Sequence, residues 1–223
     1  MQRRGLTHFG FVLASPLRAA GALSLAVALV AAGAGTAAGA EAIGRTELVH
    51  VWATGRPPGA AERTLYQRED VFAQETLRTV EGGALHVRFR DSTELRLGSA
   101  ATVTLDEFVY DPAAGASKMV GSVSRGIARF VTGRIDPNAF AIRTPVAVIG
   151  VRGTDFSIWV EASGRTTIWV NEGAVSIAPQ GGGPALAAAG ETVSVEAGGG
   201  EVRRGALRPP TDQGLGEPQL IGR

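Results

Sequence analysis

Residues 143–156 form the densest group of side chains in this sequence that could do chemistry. Within fourteen positions they combine two arginines, one aspartate and two glycines three residues apart, around an apolar run. Glycines and basic residues together can cradle a phosphate, but neither GxGxxG nor GxxxxGK[S/T] occurs here. The segment therefore does not predict a nucleotide site.

Backbone geometry explains the same residues without invoking chemistry. We expect Pro145 to begin a strand, and we expect Gly150 and Gly153 to adopt backbone angles that other residues resist. We expect Arg152 and Asp155 to pair or to cap the turn. The alternative is that this turn, together with Arg143 before it, is a loop that contacts a partner protein.

Other chemically capable residues are scattered. The chain has no cysteine, so thiol nucleophiles, disulfides and zinc–thiolate sites are excluded. His50 and His86 stand apart and do not form a metal-binding pattern. No serine has the Gly-x-Ser-x-Gly setting of a hydrolase nucleophile. The sequence predicts no catalytic residue, no cofactor and no metal site, although a hydrolase with carboxylates from distant strands is an alternative.

The elements that position these residues are strands. From residue 84 the apolar side chains recur at every second position through 84–90, 94–97 and 102–105, with polar residues between them. Short turns join these stretches, which predicts a three-stranded antiparallel meander with one face in water. No segment shows sustained helical periodicity, so the fold class predicted is all-β, a sandwich or a stacked, solenoid-like arrangement.

A hairpin after residue 155 predicts a pair of tryptophans. With residues 163–165 as the centre of the turn, Ile158 faces Val170, and Trp159 faces Trp169 on the opposite side of the sheet. One interpretation places the two indole rings in the core or over a sheet edge. The alternative is an exposed aromatic patch for a protein partner or a glycan.

The first 40 residues have the layout of a signal peptide. Arg3, Arg4 and Arg18 are the only charged residues there, residues 19–32 are apolar, and Ala38-Gly39-Ala40 resembles a cleavage site. An uncleaved N-terminal anchor is the alternative. The predicted organisation is a signal peptide or anchor at 1–40, a β extension and loop at 41–78, a β domain at 79–178, a β ribbon at 179–206 and a flexible tail at 207–223.

Composition narrows the classes of partner. Three of the 22 basic residues lie in the first 40 positions, so 19 basic residues face 21 acidic ones afterwards. This balance does not provide the concentrated basic face that nucleic acid requires. No second apolar stretch is long enough to span a membrane, and no internal repeat is evident.

Several ordered segments between residues 79 and 178 resemble the FecR domain, an all-β module of bacterial envelope signalling proteins. The resemblance is carried by residues 83–97, 106–112, 126–133, 143–156 and 167–177, the last with its turn at Glu172-Gly173. The best-known family members regulate a sigma factor through a cytoplasmic segment and one membrane span. Here at most residues 1–18 could be cytoplasmic, which is too little for a sigma-factor-binding domain.

The resemblance implies an exported, non-enzymatic module that binds a protein partner in the bacterial envelope, for sensing or signal relay. The predicted location is the periplasm or the exterior, with an inner-membrane anchor as the alternative. The second functional hypothesis is a secreted structural or adhesion protein that uses the domain as a rigid scaffold. The candidate contact or motif residues are Arg143, Pro145, Gly150, Arg152, Gly153, Asp155, Trp159, Trp169, Glu172 and Gly173.

Overall fold

A computed structural model describes residues 41–113, 116–133 and 139–205, and within them it contains strands, turns and loops but no helix. The predictions for residues 1–40 and 207–223 lie outside the described residues. The strands are β1 (Ala42–His50), β2 (Ala53–Arg56), β3 (Arg63–Thr64), β4 (Asp70–Phe72), β5 (Thr76–Thr79), β6 (Ala84–Phe89), β7 (Glu94–Leu97), β8 (Thr102–Asp111), β9 (Ala116–Val131), β10 (Phe140–Arg143), β11 (Ala147–Val160), β12 (Thr166–Pro179), β13 (Ala185–Ala188), β14 (Thr192–Val195) and β15 (Arg203–Arg204).

The strand pairings divide into two layers. Layer 1 has the order β4-β1-β6-β7-β9-β11-β12-β14-β15. Layer 2 has the order β3-β2-β5-β8-β9-β10-β11-β12-β13. The three long strands β9, β11 and β12 belong to both layers, because one half of each pairs in layer 1 and the other half in layer 2.

The long strands change layer at glycines. Gly126, Gly153 and Gly173 have φ values of 78°, 57° and 79°, in the left-handed region that a Cβ disfavours. On β9 the change is abrupt: Arg125 pairs with β8 in layer 2, and Gly126 pairs with β11 in layer 1. Glycine thus lets one continuous strand turn the corner that a flat ladder could not.

The core lies between the layers as one apolar cluster running from Ile43 to Val195. Phe140 of layer 2 meets two rings of layer 1, with centroid distances of 5.6 Å to Phe130 and 6.3 Å to Phe156. The described residues fall within one compact unit. Residues 41–78 contribute to the same core as the rest, and the boundaries at 79 and 178 stay predictions.

The predicted all-β fold is confirmed, with two corrections to the strand pairing. β6 and β7 form the expected antiparallel hairpin, but β8 does not continue it as a meander. It pairs instead with β5 and β9, because the turn at residues 98–101 carries the chain into layer 2. One pair, β9 with β10, is parallel rather than antiparallel.

Candidate functional site

The first part of the 143–156 segment is a tight turn between β10 and β11. The Thr144 hydroxyl accepts a hydrogen bond from the Ala147 N–H at 3.1 Å, which closes the turn around Pro145. The Gln180 amide donates to the Pro145 carbonyl at 3.0 Å. Arg143 is exposed, with Nη1 3.6 Å from Oδ2 of Asp106. Pro145 therefore precedes the strand, as expected, in a turn that a threonine side chain organises.

Gly150 does not have the unusual backbone angle that the sequence predicts. Its φ is not among the positive values, so its backbone angle is open to other residues. A Cβ at this position would lie 2.5 Å from Oγ of Ser176 on the neighbouring strand. Rotation of the Ser176 side chain would relieve this contact, so neither the backbone angle nor the space makes glycine necessary at residue 150. The positive φ expected at Gly153 is present.

Gly153 and Gly173 lie together where β11 and β12 change layer. The pairing register between the two strands is interrupted from Arg152 to Asp155, as in a β-bulge. A Cβ on Gly173 would overlap the Gly153 carbonyl oxygen, so a side chain at residue 173 would separate the strands. The Thr132 hydroxyl, one residue past the end of β9, donates to the Thr154 carbonyl and accepts from the Thr154 N–H. The motif is thus the bulged corner of the two longest hairpin strands.

Asp155 does not pair with Arg152, which corrects the expectation. Its partner is Arg129 of β9, whose Nε and Nη2 donate to the two carboxylate oxygens at 2.8 and 2.6 Å. Asn171 donates a third hydrogen bond at 3.1 Å. Two-point arginine–carboxylate pairing fixes orientation as well as charge. Asp155 therefore fastens the β9, β11 and β12 strands together at the corner, while Arg152 is exposed.

The surroundings of Asp155 favour its ionised form. Burial by itself would raise the pKa of this carboxyl, but the hydrogen bonds from Arg129 and Asn171 and the positive charge of Arg129 lower it overall. An ionised carboxylate with its oxygens occupied has no proton to donate and little capacity to accept one. Glu172 lies directly opposite Asp155 in the ladder and is exposed. The arrangement suits a structural contact better than acid–base catalysis.

A row of charged side chains of both signs extends from this corner across the outer face of layer 1. Arg96 of β7 lies directly opposite Arg129, a pairing of like charges that would destabilise a sheet without compensation. Glu94 provides that compensation, with Oε2 3.2 Å from Arg96 and Oε1 2.8 Å from Arg88. We call Arg88, Glu94, Arg96, Arg129 and Asp155 the charge row. Its charges largely satisfy one another, so it is not an open site for an ion.

The tryptophans are not directly opposite each other. The structure pairs Trp159 with Thr167 and Trp169 with Ser157, two residues away from the expected register. The turn is centred one residue earlier, because Gly164, at φ 92°, occupies the left-handed position and its N–H donates to Glu161 O. Both rings still share one face, where they pack against Ile127. Trp169 is 2% exposed and Trp159 is partly buried, so Trp169 offers no surface patch.

A shallow groove crosses the outer face of layer 2 beside the motif. Small residues line it, among them Gly150, Ala174 and Ser176. Arg152 and Leu186 also line the groove. Leu186 is 67% exposed, and Val148, which precedes Gly150 on the same strand, is 45% exposed. This face therefore has exposed apolar side chains next to small residues and an arginine.

Neither a metal site nor a membrane helix is found in the part of the chain that the structure describes. No group of three or more histidine, aspartate or glutamate residues there could hold a metal ion. No helix in the same residues is long and apolar enough to cross a membrane.

Comparison with known proteins identifies the domain. The sequence model of the FecR protein family matches residues 75–176, so the chain contains a FecR domain and is a FecR domain-containing protein. The match begins one residue before β5 and ends within β12, and it includes the bulged corner. No curated protein matches the chain significantly.

Two solved structures of candidate anti-sigma factors from Parabacteroides distasonis ATCC 8503 resemble the fold. One, at 2.50 Å resolution, has 19% sequence identity and a TM-score of 0.48. The other, at 1.65 Å resolution, has 17% identity and a TM-score of 0.45. Each comparison covers 58% of this chain and 58% of the solved chain, so the chain matches little more than half of either structure.

Arg129 and Asn171 belong to the corner but were not expected from the sequence. Arg129 occupies a polar position in a strand of alternating pattern, which is the ordinary place for a solvated side chain. Its pairing with Asp155 depends on β9 lying beside β11, across 26 residues of sequence. No spacing signal in the sequence predicts that adjacency.

Proposed function

We propose that this chain is an exported FecR-type binding module that acts in envelope sensing or signal relay through protein–protein contact. The FecR domain at residues 75–176 supports a regulatory role rather than an enzymatic one. The signal-peptide layout of residues 1–40 supports export to the periplasm or the exterior.

The observation that carries the proposal is the groove beside the motif. Along the first half of β11, Val148 is exposed while Ile149 and Val151 are in the core, so the motif faces outward and inward at alternate residues. The outward set borders Leu186 and includes Arg152. We propose that this groove binds an extended protein segment that carries an apolar side chain and a carboxylate, the latter for Arg152.

Site-specific photo-crosslinking in the producing cell tests the groove. A photoreactive residue is placed at Val148 or at Leu186. The control position is Tyr66, which lies in the loop between β3 and β4 and is 64% exposed. The expected result is an adduct with one envelope protein from the first two positions and not from Tyr66. Arg152→Glu should weaken that adduct because it reverses the charge offered to the partner.

Different outcomes would overturn the proposal. Equal adducts at all three positions would show that the groove is not selective. Adducts with glycan or surface-layer material would instead support the scaffold function. N-terminal sequencing of the cell-derived protein tests export separately, and a chain that begins at Glu41 is expected, whereas one that begins at Met1 contradicts cleavage.

A further inference from the structure

Two turns that cross between the layers share sequence and geometry. The first arch, residues 73–76, joins β4 to β5 and reads Ala-Gln-Glu-Thr, and the second arch, residues 189–192, joins β13 to β14 and reads Ala-Gly-Glu-Thr. In both, the residue before the glutamate has a positive φ, 62° at Gln74 and 85° at Gly190. In both, the glutamate N–H donates to the carbonyl three residues earlier, at 3.3 and 3.0 Å.

In the second arch the glutamate and an arginine cover the outer edge of β13. Glu191 Oε2 accepts a hydrogen bond from the Ala188 N–H at 2.8 Å. Arg204, on the neighbouring edge strand β15, donates from Nη2 to the Leu186 carbonyl at 2.8 Å and from Nη1 to Glu191 Oε1 at 2.5 Å. We call these two side chains the Glu191–Arg204 clip.

The first arch makes the same set of contacts at the other end of the molecule. Glu75 accepts from the Phe72 N–H at 2.9 Å. Arg63, on the edge strand β3, donates to the Asp70 carbonyl at 2.7 Å and to Glu75 at 3.0 Å. At each end, therefore, a glutamate and an arginine bind the outward N–H and C=O groups of an edge strand and join the edges of the two layers.

The groups that the second clip occupies are those that a further strand would use. A neighbouring strand bonds the carbonyl of one residue and the N–H two residues on, here Leu186 and Ala188. An edge with such groups free is a template for pairing with another chain. Among the strands that end the two layers, β13 has four residues, β4 has three, and β3 and β15 have two. β13 is therefore the longest of these four terminal strands, and exposed side chains cover its outer edge.

We propose that the outer edge of β13 is a strand-pairing surface for a second copy of this chain, held closed by the Glu191–Arg204 clip. When the clip opens, β13 strands of two copies pair antiparallel about a twofold axis and continue layer 2 across both molecules. The sequence Ala-Leu-Ala-Ala of β13 has no charge and no proline, so it can lie beside a copy of itself without repulsion. The surface is the main-chain edge of β13, whereas the proposed groove lies on the face of layer 2, and Leu186 belongs to both.

Sedimentation velocity over a range of concentrations tests the proposal on the full chain as purified. Arg204→Ala frees the Leu186 carbonyl and should lower the dimer dissociation constant by about tenfold or more relative to the unsubstituted chain. Arg203→Ala is the matched control, because it removes the same charge from the same strand. Arg203 is 72% exposed at its side chain and approaches Glu196 at 3.9 Å rather than β13.

Two further variants make the outcome decisive. Glu191→Ala removes the other half of the clip and should promote association as Arg204→Ala does, and circular dichroism checks that each variant is folded. Leu186→Lys added to Arg204→Ala places like charges at the paired edge and should restore the dissociation constant of the unsubstituted chain. Equal association of the Arg203 and Arg204 variants, or association that Leu186→Lys leaves unchanged, would overturn the proposal.

Discussion

The two arches place the same contacts in opposite surroundings. In the first, the Glu75 side chain is fully buried, the Arg63 side chain is 32% exposed, and the Arg63 guanidinium lies 5.7 Å from the centre of the Phe72 ring. In the second, the side chains of Glu191 and Arg204 are 41% and 55% exposed. A buried charge depends on its partner because water cannot replace it, whereas an exposed pair can open at little cost.

The pKa directions of the two glutamates express this difference. Burial raises the pKa of Glu75, although the Phe72 N–H and Arg63 act against that rise. The hydrogen bond from the Ala188 N–H, followed by that from Arg204, lowers the pKa of Glu191. The same geometry thus gives the Glu75–Arg63 pair, whose glutamate is buried and which we call the lock, at one end and the exposed Glu191–Arg204 clip at the other. The extent to which each glutamate is removed from water accounts for the difference.

The largest difference is expected when each glutamate is removed. Glu75→Ala leaves the Phe72 N–H without its buried acceptor and removes one of the two carboxylates that bond Arg63, and should lower the free energy of unfolding by about 2 kcal/mol. Glu191→Ala should change it little, because water reaches the Ala188 N–H. Guanidinium unfolding curves for the two variants measure this, and equal midpoints would contradict the distinction between lock and clip.

Replacing each arginine by lysine should sharpen the same comparison. Arg63 bonds Glu69, Glu75 and the Asp70 carbonyl at once. A lysine ammonium cannot reach all three in a fixed plane, so Arg63→Lys should cost about 1–2 kcal/mol of stability. Because Arg204 makes fewer buried contacts, Arg204→Lys should leave the unfolding midpoint equal, within error, to that of the unsubstituted chain. A larger loss in the Arg204 variant would reverse our assignment of the two ends.

The turn residues before the two glutamates predict a smaller effect. Gly190→Gln copies the first arch and should cost about 1 kcal/mol, because glutamine resists the left-handed angle that glycine accepts. The reciprocal Gln74→Gly relieves that strain but increases the freedom of the unfolded chain, so the net change should stay within about 0.5 kcal/mol. Thermal unfolding of both variants checks the asymmetry, and similar losses from both would argue that neither angle is strained.

The smallest effect expected is a difference in pH dependence. Because the folded-state pKa of Glu75 is raised, the stability of the parent chain relative to Glu75→Gln should fall as pH rises through the range between the ordinary and raised values. The folded-state pKa of Glu191 is lowered. Stability relative to Glu191→Gln should therefore be present above the ordinary glutamate pKa and should be lost as pH falls through the lowered one.

Chemical unfolding from acid to neutral pH measures both differences. The two curves should have opposite slopes, because protonation favours the folded chain at Glu75 and disfavours it at Glu191. Slopes of the same sign would show that burial does not separate the two ends.

Part of this fold follows from local pattern. The alternation from residue 84 predicts the β6–β7 hairpin, and the glycine at residue 164 marks the turn of the β11–β12 hairpin. The predicted register of that hairpin is wrong by two residues. The register depends on the length and type of the turn, and the sequence alone does not distinguish turns of neighbouring lengths. The shared Ala-x-Glu-Thr of the two arches was visible but too short to indicate a repeat.

Local sequence determined the alternating strands from residue 84, which faces of those strands are apolar, and the match of residues 75–176 to the FecR family model. Tertiary structure alone decided the partners: Arg129 for Asp155, β9 rather than β7 for β8, and Arg63 and Arg204 for the two arch glutamates. The physical reason is that periodicity and turn residues act within a few positions, whereas burial and pairing depend on chain segments that only the folded layers bring together. Two nearly identical tetrapeptides, one forming a buried lock and the other an exposed clip, show this dependence directly.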